Sequence, residues 1–322
     1  MKYSFVVTIY NDGELARDFC RELETAFRAY TGLEDIREEV EVVFVDDGSR
    51  EKSLRALKET VDEFPFTVLV ALARNFGQHV AISAGYRHTR GEYVGLLNVD
   101  QEDPPDQLIV LLDALKRKDF DIVGGLYERR DIPIGQKITS YLFTTTLNRL
   151  TGYEVPRNQA TVRVMTRRFI DAYNALTEKS RYIPGLEQWL GFKYGYVTVR
   201  HKRRTVGKSS YNFSRRMRLA LDSIISFSDF PLRLAVKFGF WVAALGVCLV
   251  MALIVDRVFF QVFQQGWVST IVAIVLLGGV QIMVTGLVSL YVGRILVEVQ
   301  GRPLFVVRET YRAPSNDQAP LV

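Results

Sequence analysis

The stretch Gly95–Pro105, GLLNVDQEDPP, decides the fold. An apolar run ends in Asn98, Asp100, Glu102 and Asp103, and Pro104 and Pro105 close it. Two readings compete here: a solvated acidic loop, and a cation site at the end of a buried strand. In an extended backbone alternate side chains project to one side, so Asn98, Asp100 and Glu102 would share a face. Oxygen ligands on one face suit Mg²⁺ or Mn²⁺ held by one or two carboxylates together with the phosphates of a ligand. The two prolines then end the extended segment and start a helix.

The flanking sequence repeats the same alternation. YSFVVTI (3–9), VEVVFV (40–45), FTVLVAL (66–72), YVGLLN (93–98) and FDIVGG (120–125) are short apolar runs that read as buried strands. Between them, 14–30, 50–63, 78–89 and 106–118 carry helical patterns; in the first, Leu15, Phe19, Leu23, Phe27 and Tyr30 fall on one face. Alternating strands and helices predict an α/β domain with a mostly parallel sheet covered on both faces. Ligands of such sheets bind beyond the carboxyl ends of the strands. Those ends here are Tyr10-Asn11-Asp12, Asp46-Asp47-Gly48-Ser49, Arg74-Asn75-Phe76-Gly77 and Asn98-Val99-Asp100, all of them polar. Taken alone, Asp-Gly-Ser is ordinary turn chemistry. His79 and His201 have no Ser/His/Asp or Cys/His set beside them, which argues against nucleophilic catalysis.

Charge and hydropathy divide the rest of the 322 residues. From Gln188 to Leu221 there is no Asp or Glu, while nine Lys and Arg residues from Lys193 to Arg218 fall there, a block suited to phosphate or an anionic membrane face. Two uncharged runs follow, FGFWVAALGVCLVMALIV after Lys237 and VSTIVAIVLLGGVQIMVTGLVSLYVG before Arg294. Each is long enough to cross about 30 Å of hydrocarbon. Arginines and lysines flank the pair on both outer sides and only Arg257, beside Asp256, lies between them, so the positive-inside rule puts the large domain and both termini in the cytoplasm. Met217, Leu221, Ile224 and Ile225 form a stripe offset from Arg215, Arg216 and Arg218, the pattern of a helix lying in the interface. Two cysteines far apart, Cys20 and Cys248, exclude a disulfide framework, and the N-terminal apolar stretch is too short for a signal peptide. The expected division is 1–212 for the catalytic domain, 213–234 for interfacial helices, 235–295 for two transmembrane helices and 296–322 for a cytoplasmic tail.

FVVTIYNDGELARDF, VFVDDGSREKSL, ARNFGQHVAISAGYRHTRGEYVGLLNVDQEDPPDQL and RRTVGKSSYNF, followed by two apolar runs, resemble a polyisoprenyl-phosphate glycosyltransferase of the inverting family 2. The resemblance runs from about residue 3 to about residue 312. It implies the GT-A nucleotide-sugar fold, a nucleotide-diphosphate sugar donor (a UDP-sugar in the first instance), Mg²⁺ or Mn²⁺, and a polyprenyl-phosphate acceptor such as undecaprenyl phosphate at the inner membrane. The product would be a lipid-linked sugar for cell-envelope glycans, flipped across the membrane by a partner protein. A tetramer is a further implication; a nucleic-acid partner is not. By position, Tyr10, Asp12, Asp46, Asp47, Arg74 and Gln78 fall where the family holds the nucleotide sugar, and Asn98, Asp100 and Glu102 fall on its metal motif. Arg204, Ser209 and Tyr211 match its Arg-x-x-Gly-x-Ser-x-Tyr segment and are expected, with Arg129 and Arg130, to hold the lipid phosphate. Asp100 and Arg163 are the expected catalytic residues.

Two departures from the family pattern stand out. The metal motif usually reads Asp-x-Asp-x-Gln and here reads Asn-x-Asp-x-Glu, so the summed charge is unchanged and Glu102 would compensate for Asn98. Where relatives carry an acid shortly before ATVRVMTRR, this chain has Arg157-Asn158-Gln159, so the role of that acid is not carried over. Two other readings stay open: a degenerate, non-catalytic binder of lipid phosphate, and a processive polysaccharide synthase. Two spans and GLEQWLG in place of Gln-x-x-Arg-Trp weigh against the synthase.

Overall fold

The computed structural model describes residues 1–100, 103–127, 145, 156, 158–200, 230–259 and 266–314. It divides into two compact units, Met1–Asn212 with Pro303–Val322, and Phe213–Arg302.

The first unit is a sheet with helices on its faces. Its elements are β1 (Tyr3–Ile9), α1 (Ala16–Thr31), β2 (Val40–Asp46), α2 (Glu51–Glu63), β3 (Thr67–Leu72), α3 (Gln78–His88), β4 (Tyr93–Asn98), α4 (Asp106–Arg117), β5 (Ile122–Tyr127), β6 (Gln159–Thr166), α5 (Arg167–Asn174), α6 (Ile183–Trp189) and β7 (Tyr194–Val199). After the second unit comes β8 (Val307–Arg312). The eight strands run in the order β7-β5-β6-β4-β1-β2-β3-β8. β1, β2, β3 and β4 pair in parallel, as do β5 and β7, while β6 and β8 run antiparallel to their neighbours. The sheet is therefore mostly parallel, as expected, but mixed.

Period-two burial builds both faces. Tyr3, Phe5, Val7 and Ile9 of β1 join Phe19, Leu23 and Phe27 of α1 in one buried cluster, which also takes Leu108, Leu111, Leu112 and Leu115 of α4. That is the apolar stripe seen in the sequence of α1, spaced to return every turn. The opposite face receives α3, which approaches so closely that a Cβ on Gly85 would overlap Val6 Cγ1 and come within 3.1 Å of Val45 Cγ2. Glycine is needed there for space, because the helix backbone rests on the valines.

β8 corrects one expectation. Residues 296–322 read as a tail, yet Val307–Arg312 form the last strand of the sheet, antiparallel to β3. Its alternate residues reach α2: Glu309 pairs with Lys58 at 2.9 Å, and the Tyr311 hydroxyl donates to Asp62 at 2.9 Å. An edge strand held this way cannot be recognised from VRETYR alone, because its hydrogen bonds come from a partner strand far back in the sequence.

The second unit holds α7 (Phe230–Phe259) and α8 (Trp267–Val299). Among the described residues one stretch, Leu277–Val299, is long and apolar enough to cross a membrane, with a mean hydropathy of 1.8 and none of it buried. In α7 the apolar stretch found among the described residues is Leu234–Gly246. The second crossing expected from the sequence is thus not met among the described residues. The interfacial helices expected over 213–234 lie outside the described residues up to 229, and 230–234 belong to the start of α7.

Gly85→Ala should lower the stability of the domain by about 1–3 kcal/mol through overpacking. The denaturation midpoint of the full chain in detergent measures it, and an unchanged midpoint would contradict the packing described.

Candidate active site

The sheet register lines up the ends of the four parallel strands β4, β1, β2 and β3. Ile9 faces Asp46, Asp46 faces Ala71, and Thr8 faces Asn98 across neighbouring strands. The loops that leave these ends are tied to one another by hydrogen bonds between residues distant in sequence.

From β1, Asn11 adopts φ 66°, its N–H donates to Ser49 Oγ at 2.8 Å, and its Oδ1 accepts from Arg50 N at 2.9 Å. From β2, Asp47 N–H donates to Ile9 O at 2.9 Å. The Asp47 carboxylate spans to the loop after β3, Oδ1 accepting from Phe76 N at 2.7 Å and Oδ2 from Gly77 N at 2.9 Å. Gly48 sits between these loops at φ +73°, where a Cβ would lie 2.5 Å from Arg74 C and Asn75 N, so only glycine fits. From the start of α3, Gln78 Nε2 donates to Asn98 Oδ1 at 3.3 Å, joining the third loop to the fourth strand end.

Burial sets the electrostatics of the pair of aspartates. Asp46 and Asp47 are almost fully buried. Desolvation raises the pKa of the Asp46 carboxyl, against hydrogen bonds from Ser49 and the charge of Arg308. Asp47 is raised by the same cause, against the two backbone N–H groups it accepts from. Asp47, expected to touch the nucleotide sugar, braces the loop after β3, each of its oxygens accepting a backbone N–H there.

The remaining predicted residues divide into three groups. Tyr10 is exposed, Asp12 opens the short helical turn at Gly13–Leu15, and Arg74 stands over the Phe76 ring at 4.3 Å. Asn98 ends β4 and Asp100 follows in the next turn, both half-buried. Glu102, Arg129, Arg130, Arg157, Arg204, Ser209 and Tyr211 lie outside the described residues. Asp103 is a strut, not part of a solvated loop: it is buried and its Oδ2 accepts from Val162 N of β6 at 3.3 Å.

Arg163 is the second correction. Expected at the reacting centre, it is buried in β6 with its Nη1 2.6 and 2.7 Å from the two carboxylate oxygens of Glu187 in α6, and its Nε donates to Thr161 O at 3.0 Å. Burial opposes the Arg163 charge, but Glu187 more than offsets it and the guanidinium stays protonated. Tyr194 reaches the same carboxylate at 3.5 Å and accepts from Gln159 Nε2 at 2.8 Å. Sequence reasoning missed Glu187; the available signal was a lone acid in the otherwise uncharged IPGLEQW helix. His79, in the first turn of α3, packs edge-on to Tyr182 at 6.0 Å, with its Nδ1 buried and unpartnered. Burial, and secondarily the Arg163 charge, holds its pKa down to about 4.

Among the described residues no three His, Cys, Asp or Glu side chains gather into a metal cluster. The described donors, an amide oxygen and one carboxylate at adjoining turns of a strand end, nevertheless suit a hard cation that takes most of its ligands from phosphate and water.

Laced polar loops over the carboxyl ends of a mostly parallel sheet define an α/β domain with a candidate ligand site at those ends. The model of glycosyl transferase family 2 matches residues 4–173. An undecaprenyl-phosphate 4-deoxy-4-formamido-L-arabinose transferase of Pseudomonas fluorescens is 33% identical, covering 99% of this chain and 93% of its own. A prophage-derived bactoprenol glucosyl transferase of Shigella flexneri is 28% identical over 97% of this chain and 99% of its own. Of the solved structures, mannosyl-3-phosphoglycerate synthase from Rubrobacter xylanophilus is similar at 15% identity and a TM-score of 0.48, over 74% of this chain and 75% of its own. The chain belongs to glycosyl transferase family 2, and its domain is a GT-A-like α/β fold.

Asp47→Asn leaves one acceptor for two N–H groups and should destabilise the site by about 1–3 kcal/mol. Amide exchange at Phe76 and Gly77 should accelerate while the centre of β2 is unchanged; equal protection in the variant would remove the brace. His79 stays neutral in the fold down to about 4, below its ordinary 6.5, so the unfolded chain binds the extra proton between these values. The stability that follows is complete above pH 6.5 and is lost as pH falls toward 4. Denaturant titrations of His79→Gln should show a shallower decline across that window.

Proposed function

We propose that this protein is a membrane-bound, metal-dependent inverting transferase that moves one sugar from a nucleotide-diphosphate donor to a polyprenyl phosphate. The observation that carries the reading is the row of tied strand-end loops, with buried Asp46 at one end and Asn98 and Asp100 at the other. Two relatives that match end to end, one named for undecaprenyl phosphate and one for bactoprenol, support the acceptor class.

In this reading Tyr10, Asp12, Asp46 and Arg74 hold the nucleoside, and Asp47 keeps the Arg74–Gly77 loop in place. Asn98, Asp100 and Glu102 would hold Mg²⁺ or Mn²⁺, which when bound supplies positive charge to the departing diphosphate. An acceptor phosphate oxygen attacks the anomeric carbon opposite the diphosphate; the new C–O bond forms as the old one breaks, and the electron pair leaves on the diphosphate. A phosphomonoester has a second pKa near 6, so at about pH 7 the nucleophile is already largely dianionic and needs alignment more than a base. That accommodates Arg157-Asn158-Gln159 where relatives have an acid. Arg129, Arg130, Arg204, Ser209 and Tyr211 are proposed for the lipid phosphate by resemblance.

Chain topology supports an even number of membrane crossings. β8 follows α8 and pairs with β3, which precedes α7, so the polypeptide leaves the domain and returns to it. Two crossings satisfy this, with the domain on the cytoplasmic side by the distribution of arginines.

The test is transfer by the full chain in detergent with Mn²⁺, undecaprenyl phosphate and a panel of UDP- and GDP-sugars, with products read by mass. One donor should give a singly glycosylated lipid phosphate. Asp100→Asn should lower that rate by about 10²–10³-fold, in the range of losing one transition-state charge contact, and Glu102→Gln should lower it as well. Failure with every donor would favour the non-catalytic reading, which Asn98 in place of the family's acid motivates.

A further inference from the structure

The bulge in β8 is unused by the function so far described. Glu309 faces Ala71 and Val307 faces Leu72, so Arg308 is an extra residue with no opposite number, inserted where the register shifts. Bulges bend a strand and re-aim the side chain they carry, and they concentrate beside functional sites. This one falls at the carboxyl end of the sheet. Asp46, Ala71 and Glu309 lie in one row across β2, β3 and β8, and Arg308 is one residue further toward the strand ends. Just beyond it, Ala73 N donates to Val306 O at 2.9 Å, so the approach to β8 runs beside the loop that carries Arg74.

The strand that carries Arg308 is held firmly and its guanidinium is held loosely. Glu309 and Tyr311 pin β8 to α2. Arg308 itself is 47% exposed, and its Nη2 lies 3.4 Å from Glu309 Oε1, a surface contact of little energy. Its charge reaches the buried carboxylate of Asp46.

We infer that Arg308 is a donor-binding residue, supplied by the strand that follows the membrane helices, and that it contacts the nucleobase end of the nucleoside diphosphate. The inference rests on the transferase reading above. Distance selects the base over the diphosphate. Adjacent strands are about 4.8 Å apart. The metal motif on β4 is four strand spacings from β8, about 19 Å by the same spacing, beyond reach of a side chain that also serves the diphosphate. A nucleotide with its phosphates at β4 extends along the row of ends toward β3 and β8. A guanidinium there offers a planar fork for a base carbonyl and a face for stacking on the ring.

The experiment is calorimetric binding to the full chain in detergent, with MnCl₂, using UDP, GDP and inorganic pyrophosphate as three separate probes. Wild type should bind at least one nucleotide. Arg308→Ala should weaken that nucleotide about tenfold, the scale of a lost charge-assisted hydrogen bond, and leave pyrophosphate unchanged. Arg308→Lys should fall between the two, since it keeps the charge and loses the fork. Arg312→Ala, on the same strand at the other end of the sheet, should bind like wild type. Undiminished nucleotide affinity in Arg308→Ala, equal loss of nucleotide and pyrophosphate, or an equal effect from Arg312→Ala overturns the assignment while leaving the transferase reading intact. Binding of neither nucleotide by wild type overturns both.

Discussion

The carboxylate of Asp47, accepting one hydrogen bond from Phe76 N and another from Gly77 N, is the constraint on which the site depends. A buried carboxylate is costly unless each oxygen finds a donor, and here the donors are backbone groups of a loop that would otherwise be unanchored. The geometry leaves no room for a side chain between the two segments, hence Gly48. Once that loop is held, α3 starts at a defined point, Gln78 meets Asn98, and the ends of β2, β3 and β4 become one surface.

A buried charge pair joins β6 and α6. Arg163 and Glu187 are both removed from solvent, so removing either would strand the other as an unpaired buried charge. Tyr194 and Gln159 extend the pair to β7 and the start of β6. The network connects the antiparallel part of the sheet to the element that follows it, and it explains why an arginine in a family motif need not face the reaction. The resemblance suggested a catalytic role; the buried pairing with Glu187 gives it a structural one.

The closing strand joins two parts of the chain that composition alone would separate. A hydrophobic segment with exposed apolar side chains is followed by six residues that complete a sheet begun near the N-terminus. The sheet edge is therefore formed only when the chain returns from the second unit. Arg308 stands at that junction.

Much of this was legible in sequence. The order and boundaries of β1 to β4 and α1 to α4 follow from short apolar runs alternating with helical stripes, because burial on both faces of a parallel sheet leaves a local signature. The polar strand ends follow from the same pattern, since a loop over a sheet's carboxyl end must bear whatever meets the ligand. Side-chain commitment was not legible. Asp47 and Asp46 are neighbours of one type, and only the approach of residues 74–77 makes the first a brace; Arg163 and Glu187 are far apart until β6 and α6 pack. β8 needed a partner more than two hundred residues earlier. Local periodicity determined which segments are strands and helices, and tertiary proximity alone decided which of their charges are free to act, because a carboxylate or guanidinium takes its role from the groups that solvate it in place of water.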